Sequence, residues 1–167
     1  SALCTSEFIN GIDVTFGHPH LKYKTFFSSI ERPFSYQLFD DDTHRLLNSA
    51  LSLARFEPDI IDINMGCSAR NVSNRGAGAG LLKRPDKVRR IAGDLVASLS
   101  VPVTAKIRLG WDEKSRNYLE IVKILQDCGV SAITVHARTR NQQYSGLADW
   151  DAIAEIKSAV SIPIIGN

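Results

Sequence analysis

The residues of this sequence best suited to chemistry recur at one kind of place, the trailing end of a short apolar run. The clearest case is "IIDINMGCS", residues 60–68, where an apolar stretch gives way to Asn64, Gly66 and Cys67. Cysteines are more often buried and inert. This one follows its apolar run directly, beside a glycine that permits a tight backbone. A thiol there can serve as nucleophile or as general acid, according to its protonation. Lys106 carries a cation inside the apolar stretch "VTAKIRL". A rim lysine can snorkel to solvent, but flanked by Ala105 and Ile107 it is placed for an anionic or electron-rich ligand. His136 ends "AITVH" in the same way, and Arg138 follows two residues later. Gln37 and Asn167 close two further apolar runs.

Positioning these groups requires an alternation of strands and helices. Strand character is read over Ala2–Ser6, Phe34–Leu38, Ile60–Ile63, Val103–Ile107, Ala132–Val135 and Ile162–Ile165. These runs lack strict in–out alternation, as expected for parallel strands covered on both faces. Asp42 or Thr43 caps a helix to about Phe56, with Leu46, Leu47, Ala50, Leu51 and Ala54 inward. A second helix has Pro85 in its first turn and Val88, Ile91, Leu95 and Leu99 at helical spacing. Ser115 caps a third, which Gly129 closes, and Asp149 caps a fourth with Trp150, Ile153, Ile156 and Val160 as its stripe. Residues 10–32 carry no clear period. The loop from Gly66 to Gly80 holds Gly76 and Gly78 as well, and reads as a cover for a substrate.

"SVPV" at 100–103 and "SIPI" at 161–164 each follow a helix and open a strand, marking a repeated βα unit. Such units build either a (β/α)8 barrel or an open doubly wound sheet. Polar groups at the same end of successive strands favour the barrel, whose strand ends converge on one rim. The fold class is therefore α/β, a partial (β/α)8 TIM barrel with about six of eight units. The sequence reads as an incomplete piece of a larger protein.

Composition narrows the function classes. The 167 residues are 44% apolar and 23% charged, ordinary for one globular domain. No apolar run approaches the roughly 20 residues that cross a bilayer, and "SALCTSEFIN" lacks the basic flank of a signal peptide. Three scattered cysteines favour a reduced, cytoplasmic setting over a disulfide framework. His18 and His20 find no third ligand at metal-binding spacing. The net charge of +2 is small, yet Arg70, Arg75, Lys83, Arg84, Lys87, Arg89 and Arg90 face only Asp86 between them. That run reads as a solvated helix face with loop arginines, or as a surface for a phosphate backbone.

The segments "DINMGC", "GAGAGLL", "VPVTAKIRLGWD", "VHARTRNQQYSGLADW" and "IPIIGN", in this order and spacing, resemble the flavin-dependent tRNA-dihydrouridine synthases along the whole chain. The resemblance implies a barrel holding FMN at its carboxyl rim, reduced by NAD(P)H, followed by a helical tRNA-binding domain. It implies that Cys67 protonates C5 of a uracil while hydride reaches C6 from the opposite face, and that Asn64 binds the uracil or its surroundings. Gln37, Lys106, His136 and Asn167 would line the flavin, and Arg138 with the basic run would face the tRNA. The family's proline after the cysteine is Ser68 here. The family's first strand, last strand, flavin-phosphate loops and helical domain are expected outside residues 1–167, so this stretch alone is expected to bind FMN poorly. Two other readings remain open at this stage. One is a flavin barrel acting on free pyrimidines, of dihydroorotate-dehydrogenase type, against which "KIRLGW" and "ADW" speak. The other is an inactive or merely RNA-binding barrel fragment.

Overall fold

The computed structural model describes residues 3–167. Strands β1 (Cys4–Thr5), β2 (Ile9–Asn10), β3 (Phe34–Phe39), β4 (Ile60–Met65), β5 (Val103–Arg108), β6 (Ala132–His136) and β7 (Ile164–Gly166) form one sheet. Every pairing is parallel, in the order β1-β3-β4-β5-β6-β7, with β2 also on β3. From β3 onward each strand lies beside its predecessor in sequence. An open doubly wound sheet reverses its order at a switch point; this one never does. It is a curled part of a (β/α)8 barrel.

Helices α3 (Thr43–Ala54), α5 (Pro85–Ser98), α6 (Tyr118–Asp127) and α7 (Trp150–Ala159) form the crossovers, each packed on the next around the outside. Asp42 caps α3 by accepting from Arg45 N, and Asp149 caps α7 by accepting from Ala152 N at 3.0 Å. Pro85 opens α5 where its missing N–H costs nothing. Their apolar stripes meet alternate strand residues such as Ile61, Ile63, Ala105, Ile107, Ile133 and Val135, all fully buried, to make one core.

Several expectations shift. Ala2 lies outside the described residues, and the strand expected there is the short β1. Residues 10–32 do contain structure: β2, then α1 (Gly11–Phe16), α2 (Leu21–Thr25) and a 3-10 turn at Ser29–Glu31. The inner face of α3 is Leu46, Ser49, Ala50 and Leu53, with Leu51 turned out, because α1 docks there and Ser49 Oγ donates to Gly11 O. Ser115 does not cap α6. Asp112 takes Ser115 into a capping box on a 3-10 turn (Glu113–Ser115), so α6 starts after Asn117. Trp150 points largely to solvent, leaving Ala152 and Ile156 as the buried positions of α7.

The glycine-bearing loop divides: Gly66, Cys67, Ser68 and Ala69 line a cleft at the strand ends, and the remainder packs down. It folds as α4 (Arg70–Ser73) and a 3-10 turn (Gly78–Lys83) whose residues 78–82 are buried against β4. Its glycines serve close packing. A Cβ on Gly80 would lie 2.4 Å from Ser73 O, and one on Gly78, at φ 53°, would lie 2.9 Å from Cys67 Cβ. The segment is the floor beneath Cys67.

Candidate active site

Register stacks the polar residues of the sheet. Gln37 pairs with Asp62 and Asp62 with Thr104; Asn64 pairs with Lys106, and Arg108 with His136. Side chains alternate along a strand, so these residues share the face away from the helices while their apolar neighbours fill the core. Sequence reading saw little alternation because that face carries the chemistry and is itself largely covered. Gln37, Asn64, Cys67, Lys106 and His136 all line one cleft of about 510 Å³. Phe8, Arg108 and Tyr144 line it too.

Asn64 organises the cysteine loop. Its Oδ1 accepts from Gly66 N at 3.1 Å and Cys67 N at 2.9 Å, while its Nδ2 donates to Gln37 Oε1 at 2.8 Å. Gln37 Nε2 in turn donates to Asp62 Oδ2 at 2.7 Å, and Thr104 Oγ1 donates to Asp62 Oδ1 at 2.5 Å. Donors and acceptors alternate along this chain, which fixes the orientation of both amides. The Cys67 carbonyl accepts from Ala79 N at 3.1 Å, and the side chain packs beside Phe39, Val72 and Ala77. The thiol-bearing residue is thus held from both sides.

Arg108 is the group whose role sequence reading missed. It is 3% exposed, yet its guanidinium meets backbone carbonyls rather than a carboxylate. Nε donates to Gly66 O at 2.8 Å, and Nη1 to Thr139 O at 3.1 Å and Gln143 O at 2.8 Å. It ties the Cys67 loop to the loop after β6. The sequence shows only a cation at a strand end; the three carbonyls come from distant chain segments.

The cleft is electropositive. Burial pushes the Lys106 ammonium below its ordinary range, neighbouring Arg108 adds to this, and Asp62 opposes it. Burial likewise raises the Asp62 carboxyl, against hydrogen bonds from Thr104 and Gln37 and the charge of Lys106. Lys106 Nζ lies 3.5 Å from Asn167 Oδ1, and among the described residues no carboxylate approaches it within 4.0 Å. His136 is pushed down to about 4 by burial, then by Arg108, Lys106 and Arg138. Its imidazole is neutral at pH 7, with Nε2 3.2 Å from Arg138 Nη1. Arg138 itself turns to Gly146 O and stands beside the cleft rather than in its lining.

Phe8 reaches the cleft through a bulge. Between the β1 and β2 pairings, the edge chain carries one residue more than β3. There Ser6 N donates to Ser35 O at 2.9 Å, while Ser6 Oγ accepts from Gln37 N at 3.1 Å. Such bulges re-aim side chains near active sites.

A parallel segment whose polar strand ends converge on one cleft is part of a (β/α)8 barrel, with the cleft on the face where this fold builds its sites. The whole chain, residues 1–167, matches the family model described as dihydrouridine synthase (Dus). It belongs to that family. It is similar to the tRNA-dihydrouridine synthase B of Pasteurella multocida, at 45% identity over 131 residues, covering 78% of this chain and 40% of the relative. The protein of the same name from Pectobacterium carotovorum is 51% identical over 108 residues, 65% of this chain and 34% of the relative. A probable tRNA-dihydrouridine synthase of Rhodobacter capsulatus is 42% identical over 135 residues, 81% of this chain and 42% of the relative. The chain spans about two fifths of the length of these curated relatives.

Proposed function

We propose that this chain is the middle of the catalytic barrel of a tRNA-dihydrouridine synthase, which reduces the C5–C6 double bond of uridine in tRNA. The observation that carries the reading is Cys67, held through its backbone by Asn64 on the same cleft as Lys106 and His136. The donor set suits a flavin. Among the described residues, a half-buried ammonium without a carboxylate partner matches the electron-rich pyrimidine edge of the ring system, and the second N–H of Gln37 is free to donate. Gln37, Lys106, His136 and Asn167 would hold FMN there, with NAD(P)H as the source of electrons. When bound, the flavin supplies hydride to C6 of the uracil.

The chain's own residues supply the rest. Cys67 gives its thiol proton to C5, so that hydride and proton together saturate the double bond. Asn64 and Arg108 fix the backbone of the Cys67 loop, and a proton donor is effective only when held within reach of its target. Lys106 balances negative charge developing at the cofactor's edge. Neutral His136 accepts from Arg138 and keeps that guanidinium at the mouth. A uridine must leave its stack to enter such a cleft, where Tyr144 and Phe8 offer aromatic walls.

The test uses the full-length protein carrying this segment, an unmodified tRNA transcript and NADPH. Nucleoside mass spectrometry is expected to detect two hydrogens added to a uridine. Reduction of free uridine or orotate with none on tRNA would contradict the proposal and favour a free-pyrimidine dehydrogenase.

A further inference from the structure

A second feature lies outside the cleft, on the loops that flank it. Lys83 Nζ and Arg140 Cζ each stand 4.4 Å from the ring centroid of Trp111. The backbone welds this group to the active rim. Arg140 N donates to Gly110 O and Asn141 N to Trp111 O, both at 2.9 Å. The Arg140 guanidinium reaches Ser73 Oγ at 3.0 Å and Asn74 Oδ1 at 3.3 Å, on the segment that follows the Cys67 loop. Beside Trp111 opens a groove of about 770 Å³, lined by Lys83, Lys114 and Asp112 together with Arg116, whose guanidinium is paired with Asp149 and Glu113.

Of these cations Lys83 belongs to the basic run that stands out in sequence, whereas Lys114, Arg138 and Arg140 lie outside it. Within that run, Arg75 pairs with Asp41, Arg84 with Asp86, and Lys87 donates to Asp41 O. Among the described residues no carboxylate lies within 4.0 Å of Lys83, Lys114, Arg138 or Arg140, nor of Arg70, Arg89 or Arg90 in the run; what sets the first four apart is their place on the loops beside the cleft. Lys83 and Lys114 are also exposed. Unpaired cations fixed on a rigid rim lose little freedom when they meet phosphates, and an indole holding two of them keeps like charges close together.

We infer that the Lys83–Trp111–Arg140 cluster and the adjoining Lys114 groove form a docking surface for the phosphate backbone of the substrate RNA. The surface rests on the proposed function for the identity of that RNA. It differs from the exposed α5 face, where Arg89 and Arg90 lie. The surface grips the strand near the cleft mouth without reading its sequence, the usual division of labour between phosphate and base contacts.

The full-length protein tests this through tRNA binding measured across a salt series. Lys83→Gln with Lys114→Gln is expected to weaken binding and to flatten the dependence of log K on log salt by about one unit per cation removed. Arg89→Gln with Arg90→Gln is expected to change neither. Flavin reduction by NADPH without tRNA is expected to be the same in both double variants, separating loss of docking from loss of fold. An unchanged salt slope in the first variant, or an equal drop in the second, would overturn the inference. Failure of the wild-type protein to form dihydrouridine while this pattern of RNA binding holds would instead count against the proposed activity alone.

Discussion

Replacing Asn64 with alanine removes a single side chain and three hydrogen bonds at once: those from Gly66 N, from Cys67 N and to Gln37 Oε1. A typical intramolecular hydrogen bond contributes about 1 kcal/mol net, within about 0.5–1.5. The three together stabilise the fold by about 2–4 kcal/mol. The upper half of that range is favoured because Asn64 is only 6% exposed. Asn64→Asp keeps the acceptor for the two loop amides but turns an oxygen toward Gln37 Oε1. Gln37 cannot invert in response, because its Nε2 is committed to Asp62. The aspartate variant is therefore expected to lose stability while retaining the loop. Urea unfolding at constant m reports the stability. Alkylation of Cys67, with Cys4 and Cys128 replaced by serine, reports the loop. The expected pattern is faster alkylation in Asn64→Ala than in Asn64→Asp. A stability change below about 0.5 kcal/mol with unaltered alkylation in the alanine variant would refute the assignment of Asn64 as the organiser of this loop.

Two further outcomes follow from geometry and charge. His136, with a native value of about 4 against an ordinary 6.5, makes the unfolded state bind more protons between those limits. Its share of stability is full above about pH 6.5 and is lost as pH falls toward 4, so His136→Gln is expected to flatten the stability profile in that window, and imidazole titration by NMR near 6.5 would contradict this. Gly80→Ala is expected to destabilise the protein strongly, by about 2 kcal/mol or more, since its Cβ meets the Ser73 carbonyl and both partners are backbone; calorimetry showing a wild-type unfolding temperature would refute the packing argument.

The strands and their order were legible because parallel strands need apolar runs and the crossover helices need apolar stripes. Both are local patterns, and "VTAKIRL" or "AITVH" announces its place without help from the rest of the chain. The convergence of Gln37, Asn64, Lys106 and His136 was legible for the same reason: strand ends of a barrel meet. What escaped depends on partners far away in sequence. Arg108 looks like an ordinary rim cation until Gly66, Thr139 and Gln143 are seen around it. The role of Asn64 in holding the loop comes from backbone amides that sequence does not display. Ser115 looked like a helix cap because its competitor, Asp112, caps a turn of a kind too short to carry a period. The loop from Gly66 to Gly80 read as a cover for a substrate because of its glycines, whereas here Gly78 and Gly80 allow close approach to Cys67 and Ser73. The ion pairs of Arg75 with Asp41 and Arg84 with Asp86 inside the basic run were not legible, because they are tertiary or depend on side-chain direction.

The central claim is that Cys67 delivers the proton. Its most direct test is a single turnover in the full-length protein: the flavin is reduced with NADPH, excess NADPH is removed, tRNA is added, and flavin reoxidation is followed by absorbance. The account predicts that Cys67→Ala leaves reduction by NADPH unchanged and slows reoxidation by tRNA about 10²–10⁴-fold, the range for losing a positioned general acid. Reoxidation of the variant by tRNA at the wild-type rate would contradict it.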